Sequence, residues 1–177
     1  MKALLLDRDG IINVDHGYVS RSEDFEFVPG IFDLCRAYAK RGFLVVVVTN
    51  QSGIGRGYYD EAAFWQLTDW MKAQFREQGV EIAGVYFCPH HPQKAQGAYL
   101  QHCECRKPAP GMLLQAAREL NLELRQSVMV GDKPSDMEAA AKAGVGTGYL
   151  VGADELPTMH PADSLVAESL AGVPRPA

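Results

Sequence analysis

The 177-residue sequence has no apolar run near the ~20 residues that a membrane-spanning helix requires. Met1-Lys2 leads directly into Ala3 to Leu6, too short for the apolar core of a signal peptide, so a cytoplasmic protein without a membrane partner is expected. There is no surplus of basic residues: 17 Lys and Arg stand against 22 Asp and Glu, a formal net charge of -5. A general nucleic-acid binder would carry a basic face, so no nucleic-acid partner is expected. An anionic substrate stays compatible, because a bound divalent cation inverts the local field. Four cysteines in a chain of this kind read as thiols or metal ligands rather than disulfides. Repeats and low-complexity tracts are also missing. The balance of 47% hydrophobic to 22% charged residues is that of an ordinary globular protein.

What is present is an alternation of short apolar runs with longer helical patterns. Residues 3–6, 44–48, 85–88, 128–130 and 149–151 read as buried strands. Between the first two, Pro29-Gly30 opens a helix carrying Leu34, Cys35, Tyr38 and Ala39, stopped by Gly42. Phe64, Leu67, Met71 and Phe75 share one face of a second helix that ends near Gly79. A third starts around Pro110 with Leu113, Leu114, Ala117 and Leu120, and a fourth spans 135–143 with Gly144 as its cap. The stretch after Gly172 reads as weakly structured. Strands buried on both faces and alternating with helices predict an α/β protein: a Rossmann-like parallel sheet with helices on both faces. The segments between strands leave no room for a further domain, so residues 1–177 are expected to form a single one.

Ligands bind such sheets beyond the carboxyl ends of the strands, and four polar clusters fall there. Asp7-Arg8-Asp9-Gly10 follows the first strand, with two carboxylates two residues apart and a glycine for a sharp turn. Thr49-Asn50-Gln51-Ser52-Gly53 follows the second, offering a hydroxyl, amides and backbone N–H groups suited to a phosphate. Arg106-Lys107-Pro108 supplies positive charge just before a helix. Gly131-Asp132-Lys133-Pro134-Ser135-Asp136 follows the fourth strand, with carboxylates able to hold Mg²⁺ through oxygen. Any one cluster taken alone is equally well a turn or a helix cap. Four together at strand ends are hard to explain that way.

In order, these motifs resemble those of the haloacid-dehalogenase superfamily of phosphatases, over nearly all of the chain up to about Val151. Ile11 stands where that family usually has Thr or Val, a substitution of similar shape. The resemblance implies a Mg²⁺-dependent phosphomonoesterase in which Asp7 attacks phosphorus and Asp9 serves as general acid and base. It implies that Thr49 and Lys107 stabilise the transferring phosphoryl group. Mg²⁺ would be held by Asp7, Asp132 and the backbone carbonyls of Asp9 and Lys133.

Cys88-Pro89-His90-His91-Pro92, followed after a loop by Cys103-Glu104-Cys105, can close a tetrahedral structural Zn²⁺ site. Cys88, His90, Cys103 and Cys105 are the natural ligands, and His91 or His102 could replace His90. Cys35 lies on an apolar helix face and reads as core. Within the superfamily this zinc-binding loop resembles the branch without a separate cap domain, which acts on heptose bisphosphates or histidinol phosphate. The likeness is stronger to the heptose group. It implies hydrolysis of the 7-phosphate of D-glycero-D-manno-heptose 1,7-bisphosphate, supplying nucleotide-activated heptose for lipopolysaccharide or other surface glycans. Histidinol phosphate is the alternative substrate. By the same resemblance Asp15, His16, Gly17, Tyr18, Thr49, Asn50, Gln51, Ser52, Arg106, Lys107 and Lys133 would line the pocket of a small phosphorylated sugar. Arg106 would clamp the second phosphate, and Arg56, on the same Gly-rich loop as Gly53, is left unassigned. A monomer is expected.

Overall fold

The computed structural model describes the whole chain, Met1–Ala177. Six strands form one parallel sheet in the order β3-β2-β1-β4-β5-β6. They are β1 (Ala3–Leu6), β2 (Leu44–Asn50), β3 (Ile82–Cys88), β4 (Val128–Gly131), β5 (Thr147–Val151) and β6 (Asp163–Ala167). The helices are α1 (Ile31–Ala39), α2 (Ser52–Gly55), α3 (Glu61–Glu77), α4 (Gly111–Leu120) and α5 (Pro134–Ala143).

The two-residue period of the strands divides the core. Leu4, Leu6, Val45 and Val47 point to one face, where Leu34, Cys35 and Tyr38 of α1 and Leu67, Met71 and Phe75 of α3 cover them. Ala3, Leu5, Val46 and Val48 point to the other, against Met112, Leu113 and Ala116 of α4 and Met137, Ala139 and Ala140 of α5. The chain therefore builds outward from β1 through β2 to β3 with helices on one face, then crosses to β4 and builds the other way. Right-handed crossovers produce this placement. The direction reverses between β1 and β4, so the crevice opens at the carboxyl ends of those two strands. No helix is long and apolar enough to cross a membrane.

Several boundaries differ from the expected ones. β6 is an additional strand at the sheet edge, where Asp163 and Leu165 are exposed and only Ala167 is buried, so only the short run Leu165, Val166 and Ala167 marks it. β3 begins at Ile82, before a register shift opposite Val45 and Val46. β2 continues to Asn50, which puts Thr49 inside the strand, and the next residues form the short α2 instead of a loop. The end of the chain is anchored. Val173 is buried, Tyr38 donates its hydroxyl to the Pro174 carbonyl at 2.7 Å, and Arg175 Nη1 donates to the carbonyls of Leu170 and Val173.

Candidate active site

Asp7 prolongs β1 by one residue, its N–H donating to the Val130 carbonyl of β4 at 3.2 Å. The chain then turns at Gly10, whose φ of +98° suits glycine. A Cβ there would run into the Asp132 carboxylate, so Gly10 also lets the turn after β1 approach the turn after β4. Ligand oxygens of Asp7, Asp132 and Asp136 lie within 4.8 Å of one another. Lys107 reaches the same point from the opposite side. Its Nζ lies 3.0 Å from Asp7 Oδ1 and 2.6 Å from Asp136 Oδ1, and donates to the Val48 carbonyl at 2.9 Å. Asn50 fixes the lysine's backbone, accepting from the Lys107 N–H at 3.0 Å and donating to its carbonyl at 3.2 Å.

One buried cation thus pairs with two carboxylates while a third, Asp132, lies beside them, and the titration of Asp7, Asp132 and Lys107 follows. Desolvation pushes the Asp7 carboxyl well above the usual carboxylate range; Asp136 adds to this, Lys107 opposes it and Asp132 adds again. Asp132 is raised in the same way, first by burial and then by Asp136. Burial works against the charge on Lys107, but Asp136 and Asp7 outweigh it and raise its pKa. Asp132 Oδ1 is buried without a hydrogen-bond partner. A surplus of negative charge and an orphaned carboxylate oxygen are what an oxygen-ligated divalent cation requires, so these residues fit Mg²⁺.

Asp9 is held separately. Its Oδ1 accepts from Arg8 Nη2 at 2.9 Å and Asn13 Nδ2 at 3.0 Å, and its Oδ2 accepts from Gln51 Nε2 at 2.9 Å. The surrounding cavity, about 620 Å³, is lined by Asp7, Asp9, Asp15, Gly17, Tyr18, Asn50, Gln51, Ser52, Arg106, Lys107 and Lys133. Thr49 is fully buried beneath this surface, and Asp132, whose carboxylate is within 4.8 Å of that of Asp7, is not among the lining residues. His16 is not among the lining residues. Its ring points outward to Glu26, 2.9 Å away and more than half exposed.

Comparison with known proteins places the chain in a family. A HAD-hydrolase-like family model matches residues 104–172. The D-glycero-beta-D-manno-heptose-1,7-bisphosphate 7-phosphatases of Escherichia coli K12 and Yersinia pestis are 50% and 49% identical to the chain over 175 residues. That length is 98% of this chain and 92% and 93% of theirs. The chain belongs to the haloacid-dehalogenase-like phosphatases. The D,D-heptose 1,7-bisphosphate phosphatase of B. bronchiseptica, solved with magnesium and phosphate, superposes with a TM-score of 0.81. It is 32% identical, across 97% of this chain and 95% of that one.

In this haloacid-dehalogenase-like phosphatase, the Cys/His loop brings together four ligand atoms beside the cavity. Cys88 Sγ lies 3.5 Å from Cys103 Sγ and 3.7 Å from His90 Nδ1, while Cys105 Sγ lies 3.3 Å from His90 Nδ1 and 3.4 Å from Cys103 Sγ. A tetrahedron with Zn–S near 2.3 Å sets its corners roughly 3.5–3.8 Å apart, so the set fits a zinc ion. Among the candidate histidines His90 is the one in the cluster. His91 Nδ1 instead accepts from the N–H groups of Gln93 and Lys94 at 3.1 and 2.9 Å, and His102 is exposed. The nearby Cys88, with Cys103 and His90, pulls the Cys105 thiol down to about 5 against the effect of burial, while the same contact raises Cys88, so Cys105 is the readier thiolate of the pair. Cys35 is the reverse case: burial pushes it up to about 12 against the opposing charges of Arg36 and Arg175.

Four contributors went unassigned in the sequence: Asp136 as the partner of Lys107, Arg8 and Asn13 on Asp9, and Tyr59 on Gln51. Only Asp136 left a signal, as an acidic residue in the first turn of α5. There it also accepts from the N–H groups of Asp132 and Lys133, both at 3.1 Å. Asp136→Ala therefore removes one of two carboxylates from a buried lysine and orphans two backbone donors. It is expected to cost about 3 kcal/mol or more, measured by denaturant unfolding, with activity falling as Lys107 loses its aim.

Proposed function

We propose that the chain hydrolyses the 7-phosphate of D-glycero-D-manno-heptose 1,7-bisphosphate, the activity for which its relatives in E. coli and Y. pestis are named. Its product, a heptose 1-phosphate, is a precursor for nucleotide-activated heptose used in lipopolysaccharide or other surface glycans. The observation that carries this reading is the charge pattern of the cavity. At one end Lys107 is paired with acids; on the wall Arg56, Arg106 and Lys133 have no carboxylate partner. Arg106 Nη1 and Arg56 Nε are buried and lack any hydrogen-bond acceptor. That arrangement suits a substrate with two phosphates, one at Asp7 and one on the arginine wall. Histidinol phosphate would bring an ammonium group to the same wall and be repelled.

The first half-reaction begins with attack of an Asp7 oxygen on phosphorus. The P–O bond to the sugar breaks, its electron pair passes to the ester oxygen, and Asp9 delivers a proton there. In the second half, Asp9 takes a proton from water as the water attacks the aspartyl-phosphate. Inorganic phosphate leaves, Asp7 is restored as a carboxylate and Asp9 as the protonated acid. Thr49 and Lys107 stabilise the charge on the transferring oxygens, a contribution of about 10²–10³ in rate. Mg²⁺, when bound, offsets the repulsion between carboxylate and phosphate; Asp7, Asp132 and the carbonyls of Asp9 and Lys133 would hold it. Cys88, His90, Cys103 and Cys105 would hold a structural Zn²⁺ that braces Arg106 and Lys107.

Steady-state assays on the heptose bisphosphate, the corresponding 7-monophosphate and histidinol phosphate test the assignment. The bisphosphate is expected to have the highest kcat/KM. Arg106→Ala should lower the bisphosphate-to-monophosphate ratio by about 10–100-fold, with Arg56→Ala acting in the same direction. Faster turnover of histidinol phosphate would contradict the assignment.

A further inference from the structure

We propose that Gln51 is a positioning residue for Asp9 and not a substrate ligand, with its amide oriented by Tyr59. The inference rests on the general acid and base role of Asp9 given above. Gln51 is 2% exposed, although it borders the cavity. Both amide hydrogens are in use, since Nε2 donates to Asp9 Oδ2 and to Thr49 Oγ1, each at 2.9 Å. The amide oxygen accepts the Tyr59 hydroxyl. No donor remains for a sugar hydroxyl. The backbone is pinned as well, because the Gln51 N–H donates to the Cys88 carbonyl at the end of β3, at 2.7 Å.

An amide can rotate, and the reversed orientation would set its oxygen against the Asp9 carboxylate. Tyr59 prevents this. Burial pushes its phenol up to about 12, so near neutral pH it keeps its proton and donates to the amide oxygen. Arg8 Nη2 bridges both Asp9 oxygens, at 2.9 Å to Oδ1 and 3.2 Å to Oδ2, and Asn13 donates to Oδ1. Gln51 is the donor that reaches Oδ2 from the β2 side, at 2.9 Å. The plane of the Asp9 carboxyl is thereby fixed between β1 and β2. Up to cleavage of the ester bond, that plane matters only when the ester oxygen needs a proton to depart.

The test uses that dependence. A sugar phosphate expels a poor leaving group and needs the acid; p-nitrophenyl phosphate expels one that departs without a proton. The parameter read is kcat/KM, which covers the chemistry only up to cleavage of the ester P–O bond and excludes attack of water on Asp7-phosphate. Gln51→Met is expected to lower the sugar-to-aryl ratio of kcat/KM by about 10–100-fold, part of the ~10²–10⁴ that general acid catalysis supplies. Tyr59→Phe should lower that ratio by a smaller factor, and Asp9→Asn by the largest. Equal losses on both esters, or no loss, for Gln51→Met while Asp9→Asn discriminates would overturn this proposal alone. A Tyr59→Phe ratio equal to wild type would overturn the orienting role of Tyr59. An Asp9→Asn variant that treats both esters alike would overturn the acid assignment and this inference with it.

Discussion

Asp7→Asn is expected to lower phosphatase turnover by about 10⁴-fold or more, the scale on which loss of a nucleophile is felt. In metal-free buffer it is also expected to raise the thermal midpoint. Asparagine preserves the shape of the side chain and one acceptor oxygen for the Arg8 N–H, which donates to Asp7 Oδ1 at 2.9 Å. What disappears is the buried charge. Lys107 keeps Asp136 and the Val48 carbonyl, so the lysine is not stranded.

The gain depends on pH in a defined direction. Asp7 has its folded-state pKa raised, above all by desolvation and then by Asp136. The folded state therefore holds the Asp7 proton more tightly than the unfolded chain does. Its contribution to stability is greatest below the ordinary carboxylate range and is lost as pH rises through the raised folded-state value. Asparagine has no such loss. Melting both proteins in chelator across that range should show the variant pulling ahead as pH rises, and Mg²⁺ should narrow the difference. An Asp7 whose ion pair with Lys107 mainly holds the fold together would give the opposite result, with Asp7→Asn less stable at every pH. Loss of activity with a gain in stability marks a residue kept for chemistry at the expense of the fold.

Asp7, Thr49 and Asp132 were legible in the sequence because each sits where an apolar strand stops, and a parallel sheet collects such ends along one edge. The strands β1, β2 and β4 that carry them have no exposed residue, so their apolar runs are plain. β6 was harder to read: at the edge of the sheet it is half exposed, and Asp163 and Ser164 cut its apolar part to Leu165, Val166 and Ala167. The contacts on Asp9 were out of reach too. Gln51 is 42 positions from Asp9, and an amide in a phosphate-suited loop looks the same whether it faces substrate or protein. His16 lies between Asp15 and Gly17, which line the cavity, yet turns outward. The loop reverses locally, with positive φ at both Gly17 and Tyr18, and sequence spacing carries no signal for that reversal.

The Cys/His loop proposed to hold zinc yields the other large effect. Removing the metal with a strong chelator, or replacing Cys105 by Ser, is expected to lower the thermal midpoint by about 10 °C. Structural zinc contributes on the order of 10 kcal/mol where it alone organises a fold. Here the sheet has its own core on both faces, which leaves roughly a third of that to the metal, and ~3 kcal/mol corresponds to about 6–12 °C at this chain length. The catalytic consequence follows from connectivity. Arg106 and Lys107 come directly after Cys105, and the Arg106 N–H donates to Cys103 Sγ at 3.4 Å. On the far side of the loop Gln96 donates through its N–H to the Gly55 carbonyl at 2.8 Å and through Nε2 to the Arg56 carbonyl at 3.3 Å. One loop therefore braces both arginines of the cavity wall. Loosening it should depress kcat/KM for the bisphosphate more than for the 7-monophosphate, because displacement of about 1 Å costs on the order of 10²-fold where geometry is critical. Metal analysis should return one zinc per chain for the wild type and for His102→Ala, whose ring stands outside the cluster, and far less for Cys105→Ser. A Cys105→Ser protein with unchanged melting and an unchanged ratio between the two substrates would show that these four side chains are packed together without holding a metal.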